Sequence, residues 1–178
     1  MNPLEIINKY YKEGTRLYNI LLQHSQSVAQ KALEIAEAHP EMNPDTTFIY
    51  EAAMLHDIGI FLTEAPDIDC FGEEPYICHG YLGNSLMQHE GFPKHGLVCE
   101  RHTGMGLNVK YIIENNFPIP HRDMLPISIE EQIICFADKF YSKTKPEIEK
   151  PIEKVRHNIS KYGQDQLDRF DHYCRIFL

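Results

Sequence analysis

Apolar residues return at steps of three and four along most of this chain and nowhere alternate convincingly enough to mark a strand. That periodicity predicts an all-α protein. The best stretch is 16–38, where Leu17, Ile20, Leu21, His24, Val28, Leu33 and Ile35 mark one apolar side of a helix from Arg16 to Ala38. A second helix is expected from Asn43 as N-cap, with Pro44 at its first position and Gly59 stopping it. Phe48, Ala52, Leu55 and His56 share its inner face. "HGYLGNSLMQHE" sets His79 on the same side as Leu82, Gly83 and Leu86, and "HGLVCERHTG" puts His102 one turn after Val98. Ser128 and Glu131 form a capping box that opens "SIEEQIICFADKFYSK", with Asp138 inside it. Residues 64–75 and 117–126 read as loops, and 147–176 as two further helices divided by "KYGQD".

At 178 residues the chain reads as one domain covering 1–178, and a hydrophobic fraction of 43% lets it bury a substantial core. The net charge of −9 argues against a broad basic surface for duplex nucleic acid or anionic lipid. "MNPLEIINKY" lacks the basic and apolar regions of a leader, and no apolar run approaches a membrane span, so a cytoplasmic location is expected. The cysteines Cys70, Cys78, Cys99, Cys135 and Cys174 are odd in number and form no C-x-x-C pair, which predicts free thiols.

His24, His56, Asp57, His79, His102 and Asp138 all fall on or beside apolar helix faces. Taken singly each has a bland explanation. A lone histidine on such a face is more often a hydrogen-bonded core residue, Asp57 alone could cap its own loop, and Asp138 alone could be a paired helix carboxylate. Taken together they are too many ionisable groups for one core to absorb without a common partner, because an unpaired buried charge costs several kcal/mol. A bound divalent cation satisfies imidazole and carboxylate jointly. The other histidines, His39, His89, His95, His121, His157 and His172, fall at helix ends, in loops or in the polar C-terminal third and are expected to be solvated.

The order of these residues resembles the HD-domain superfamily of metal-dependent phosphohydrolases. "LLQHSQSVAQKALEIA", "AAMLHDIG", "CHGYLGNSLM", "CERHTGMG" and "ISIEEQIICFADKF" match its motifs in turn, over a core of about residues 17–143, with 147–178 as a C-terminal helical extension. The histidines at 79 and 102 and the "HRDMLP" lead into the Asp138 helix look most like small predicted HD hydrolases related to the diadenosine tetraphosphate hydrolases.

The resemblance implies that His24, His56, Asp57 and Asp138 form one metal site, with His56 and Asp57 at the centre of catalysis. His79 and His102 would then hold a second metal, with Asp57 shared. Mixed nitrogen and oxygen donors suit iron or manganese, with zinc, cobalt and nickel as alternatives, better than magnesium or calcium. Water shared by two such cations loses a proton near neutral pH and attacks phosphorus, which points to a small phosphorylated substrate, a nucleotide or similar ester or anhydride. Two other readings stay open: a one-metal HD nucleotidase, and a catalytically silent metal- or nucleotide-binding regulatory domain. The second draws on one departure, because many family members follow His-Asp-x-Gly with Lys or Arg and this chain has Ile60. The phosphate clamp must then come from elsewhere, and Lys139, Arg101 and Arg122 are the candidates because they neighbour the implied ligands or lie in the "HRD" turn.

Overall fold

A computed structural model describes all 178 residues. The fold is all-α, with nine helices: α1 (Pro3–Tyr10), α2 (Arg16–Ala38), α3 (Thr46–Leu55), α4 (His79–His89), α5 (Pro93–Arg101), α6 (Val109–Glu114), α7 (Ile129–Asp138), α8 (Ile152–Ser160) and α9 (Gln164–Phe177). Helix α3 lies at the centre, packed against α1, α2, α5 and α7. Its tolerance for so many neighbours follows from its sequence, since Ala52 and Ala53 admit close approach while Ile49, Met54 and Leu55 fill the gaps, all of them buried. Leu21, Val28 and Ala32 of α2, Val98 of α5 and Ile133, Ile134 and Phe136 of α7 complete the core around it. The C-terminal pair α8 and α9 closes one end, where Phe136 meets Phe170 and Phe177 at ring distances of 5.5 and 5.6 Å.

The α3 start differs from expectation by two residues. Asn43 adopts φ 49° and closes the 3-10 turn Pro40–Met42, and Asp45 is the cap, accepting from Phe48 N at 2.9 Å. The proline after Asn43 disfavours right-handed helical geometry there, and asparagine tolerates the left-handed alternative. Gly59 also serves differently: its φ is −86°, so it supplies no special turn geometry, and α3 has already ended at Leu55. It supplies space, because a Cβ there would lie 2.3 Å from His79 O and 2.6 Å from Gly83 N.

The segment read as a loop at 64–75 contains a small sheet, β1 (Thr63–Ala65), β2 (Cys70–Phe71) and β3 (Glu74–Pro75), in the order β2-β1-β3. Glu64 faces Phe71 antiparallel and Thr63 faces Glu74 parallel. Two- and three-residue strands are too short to show an alternation in sequence. The Ser128 hydroxyl accepts from Glu131 N at 3.2 Å as expected, but the Glu131 carboxylate accepts from Ile127 N rather than closing the box on Ser128. All five cysteines are unpaired, and no helix is long and apolar enough to cross a membrane.

Candidate metal centre

Helix ends assemble the site. His56 is the C-cap of α3, His102 the C-cap of α5, Asp138 the last residue of α7, and His79 the first of α4; only His24 comes from mid-helix. Three helix C-termini and the N-terminus of α4 therefore meet at one place. His24, His56, Asp57, His79 and His102 are buried and Asp138 is largely so.

Three of the histidines are held alike. His56 Nδ1 lies 2.7 Å from Ala53 O, His79 Nδ1 2.7 Å from Tyr76 O and His102 Nδ1 2.7 Å from Cys99 O. A carbonyl only accepts, so each Nδ1 carries a proton and donates, leaving Nε2 as the nitrogen available to a metal ion. Asp57 lies between two sets of these nitrogens. Its Oδ2 is 3.1 Å from His56 Nε2 and 3.2 Å from His24 Nε2, while its Oδ1 is 3.4 Å from His102 Nε2 and 3.5 Å from His79 Nε2. Asp138 Oδ1 joins the first set, 3.0 Å from His24 Nε2 and 3.5 Å from His56 Nε2. Two overlapping groups result, His24, His56, Asp57, Asp138 and Asp57, His79, His102, each able to hold a metal ion.

The second group provides the sharpest test of fit. His79 and His102 present Nε2 to Nε2 at 3.1 Å, with both Nδ1 atoms engaged by carbonyls. Neutral rings so placed aim two lone pairs at one another, which is repulsive until a cation lies between them. Two nitrogens on one ion, each bonded at about 2.1 Å, stand roughly 3.0–3.4 Å apart, so the spacing fits. Asp57 Oδ1, which faces these two nitrogens, is likewise buried without a hydrogen-bond donor.

Charge in the metal-free site follows burial and neighbours. Burial pulls His79 down to about 3 and lowers His102, keeping both rings neutral. His56 is also penalised by burial, but Asp57 and Asp138 outweigh this and push it up to about 9. Burial raises Asp57 and Asp138, yet Lys143 and His56 for the first, and Lys139 and the histidines for the second, hold both carboxyls well below the usual range.

The site opens into a cleft of about 890 Å³ whose floor includes His24, His79, His102 and Asp138 and whose walls include Tyr76, Tyr111, Phe117 and residues of α8 and α9. Of the basic candidates, Lys139 lines it and Arg101 and Arg122 do not. Arg101 Nη1 donates to both Glu131 oxygens at 2.9 Å, and Arg122 Nε and Nη2 lie 2.8 and 2.7 Å from the buried Glu100. Lys143 is the residue the sequence reading missed: its Nζ is 2.6 Å from Asp57 Oδ2. The expected helix through Lys143 ends at Asp138, and the turn that follows swings Lys143 back over the site. Its only sequence signal is a place four residues after Lys139, which is weak.

His95 is the second correction. Expected to be solvated, it is buried, with its ring edge-on to Phe48 and Phe92 and Nε2 3.2 Å from Glu51. Burial lowers its pKa. His89, His121, His157 and His172 are exposed and His39 half-buried.

The sequence matches the HD domain family over residues 21–142. It is 31% identical over 145 residues to an uncharacterized protein of Methanocaldococcus jannaschii, covering 79% of this chain and 78% of that one. It is 27% identical over 161 residues to the tRNA (cytidine(56)-2'-O)-methyltransferase of Thermoplasma volcanium, covering 89% of this chain but 41% of the enzyme. The same methyltransferase of Picrophilus torridus is 26% identical over 150 residues, covering 84% of this chain and 38% of the enzyme. This chain thus spans about two fifths of the length of those methyltransferases. No solved structure matches it.

Proposed function

The chain belongs to the HD domain family of metal-dependent phosphohydrolases, and we propose that it hydrolyses a phosphate ester or anhydride of a nucleotide or similar small molecule at a paired-cation centre. The observation that carries this reading is the sharing of Asp57, whose two oxygens face two different histidine groups. His24, His56, Asp57 and Asp138 would hold one ion and Asp57, His79 and His102 the other. Nitrogen-rich donors with carboxylate favour iron or manganese.

Cations held there supply a nucleophile from water near neutral pH and neutralise charge on the phosphoryl oxygens. The chain's own residues do the positioning. The backbone carbonyls of Ala53, Tyr76 and Cys99 fix three imidazoles in one tautomer. Lys139 Nζ, 2.5 Å from Asp138 Oδ2 and 2.9 Å from His102 O, ties a ligand of each group to the other. Burial shields Asp57 fully and Asp138 in large part from water, which strengthens their hold on a cation. With two cations supplying positive charge locally, a net charge of −9 is compatible with an anionic substrate.

The test is elemental analysis of protein purified without chelators, followed by phosphate release from a panel of nucleotides and dinucleoside polyphosphates. Close to two metal ions per chain with metal-dependent turnover supports the reading. One ion per chain with turnover favours a one-metal nucleotidase. No uptake of iron, manganese or zinc removes the reading altogether.

A further inference from the structure

The position after the His-Asp-x-Gly run, where many family members carry Lys or Arg, provides no cation for a phosphoryl group in this cleft. Ile60 is fully buried in the 3-10 turn Ile60–Leu62 and does not line the cleft. The basic side chains near the centre can be sorted by what already holds them. Arg101 and Arg122 are locked to Glu131 and Glu100 outside the cleft. Lys139 bridges Asp138 and the His102 carbonyl, and Lys150 donates to the carbonyls of Lys139 and Tyr141 at 3.1 and 2.6 Å, fastening the turn after α7.

Lys143 differs from all of these. Its side chain is 15% exposed and lines the cleft, its ammonium lies 5.8 Å from the centre of the Tyr76 ring, and its charge partner is Asp57 alone. That partner is also the carboxylate both metal groups share. Once cations engage Asp57, the carboxylate's charge would be neutralised and a mostly buried ammonium left without an anion. An unpaired buried charge costs several kcal/mol, so the site then favours an anion arriving next to Lys143. Resting on the proposed function, we propose that Lys143 is the phosphoryl-binding residue, paired with Asp57 in the metal-free chain and turned to the substrate phosphoryl group in the loaded one. It replaces the cation that Ile60 cannot supply.

Metal content and calorimetric binding of inorganic phosphate to the metal-loaded protein, measured for the parent, Lys143→Met, Lys143→Gln and Lys143→Arg, test this. The expected result is parental metal content in all three variants, phosphate affinity reduced about tenfold or more in Lys143→Met and Lys143→Gln, and part of it restored in Lys143→Arg. Unchanged phosphate affinity in fully loaded Lys143→Met overturns the assignment while leaving the hydrolase reading in place. Loss of metal in both Lys143→Met and Lys143→Gln also overturns it, making Lys143 a support for Asp57. A parent that takes up no metal overturns the hydrolase reading and the assignment together.

Discussion

His79 and His102 face one another nitrogen to nitrogen, Nε2 to Nε2 at 3.1 Å, in a pocket that keeps both rings uncharged. His56, only 4.8 Å from His102 between ring centres, is held charged by Asp57 and Asp138, with its pKa at about 9. The two groups should therefore answer differently to a metal. Uptake by His79 and His102 displaces no proton at neutral pH, whereas uptake by His56 displaces about one. Titrating manganese or zinc into chelator-treated protein in unbuffered solution with a pH indicator at pH 7.5 should release at least one proton per chain, the one His56 carries, with any further proton coming from metal-bound water. Release of none would show that His56 is neutral before the metal arrives.

The same shifts set how metal-free stability varies with pH. His79 is depressed from 6.5 to about 3, so the unfolded chain binds its proton first, and stability is lost as pH falls below 6.5 towards 3. His56 is raised from 6.5 to about 9, so its contribution is complete below 6.5 and lost as pH rises through 9. From these two groups, urea unfolding of metal-free protein should show greatest stability near pH 6.5. Metal replaces the His56 proton, so loaded protein should hold its stability to higher pH. A metal-free optimum at pH 9 would contradict the charge assigned to His56.

Asp57→Asn keeps the side chain's shape in a fully buried position but removes the charge that both groups use. Metal content should fall at both groups together, with the helical fold retained by circular dichroism. A variant that keeps one ion per chain would show that the carboxylate is not shared.

Gly59→Ala probes the packing that brings the groups together. The new methyl would meet His79 O at 2.3 Å and Gly83 N at 2.6 Å, both backbone atoms of α4 that cannot rotate away. Helix α4 must retreat from the His56–Asp57 turn, costing about 1–3 kcal/mol as an overpacked contact. Thermal unfolding should report that loss, and metal affinity should drop with it, because His79 rides on the displaced helix. Unaltered metal affinity would mean that the α4 spacing does not govern the second group.

Spacing marked His24 and His56 as inward-facing, because face periodicity survives in sequence, while the division of the ligands into two groups rested on the family resemblance. Lys143 could not be found that way, because its contact with Asp57 depends on the chain leaving helical geometry after Asp138, where Lys150 binds the freed carbonyls of Lys139 and Tyr141. His95 was misread for a similar reason. Its burial is made largely by Phe48 and Glu51 of α3, more than forty residues away in the chain, with Phe92 closing the other side. The αL turn at Asn43 and the short strands at 63–75 were decided by contests too local or too brief for a pattern to register.

Gln166 links the C-terminal helices to the centre, and its removal should separate the two metal groups. The side chain is buried; its Oε1 accepts from Met105 N at 2.6 Å and its Nε2 donates to Gly106 O at 2.7 Å. Both bonds fasten the turn just after His102, where Gly104 and Gly106 sit at φ 57° and 87° and the turn's own conformation is loosely specified by glycine. Gln166→Ala leaves a buried N–H and a buried C=O without partners, a loss of about 1–3 kcal/mol for each such group. Because the freed turn adjoins His102 and not His24 or His56, metal titration should show weakened binding at the His79–His102 group with the other group little changed. Equal weakening of both would mean that α9 supports the bundle as a whole, and no weakening at all would mean that His102 is held by its Cys99 carbonyl and α5 without help from the C-terminal helix.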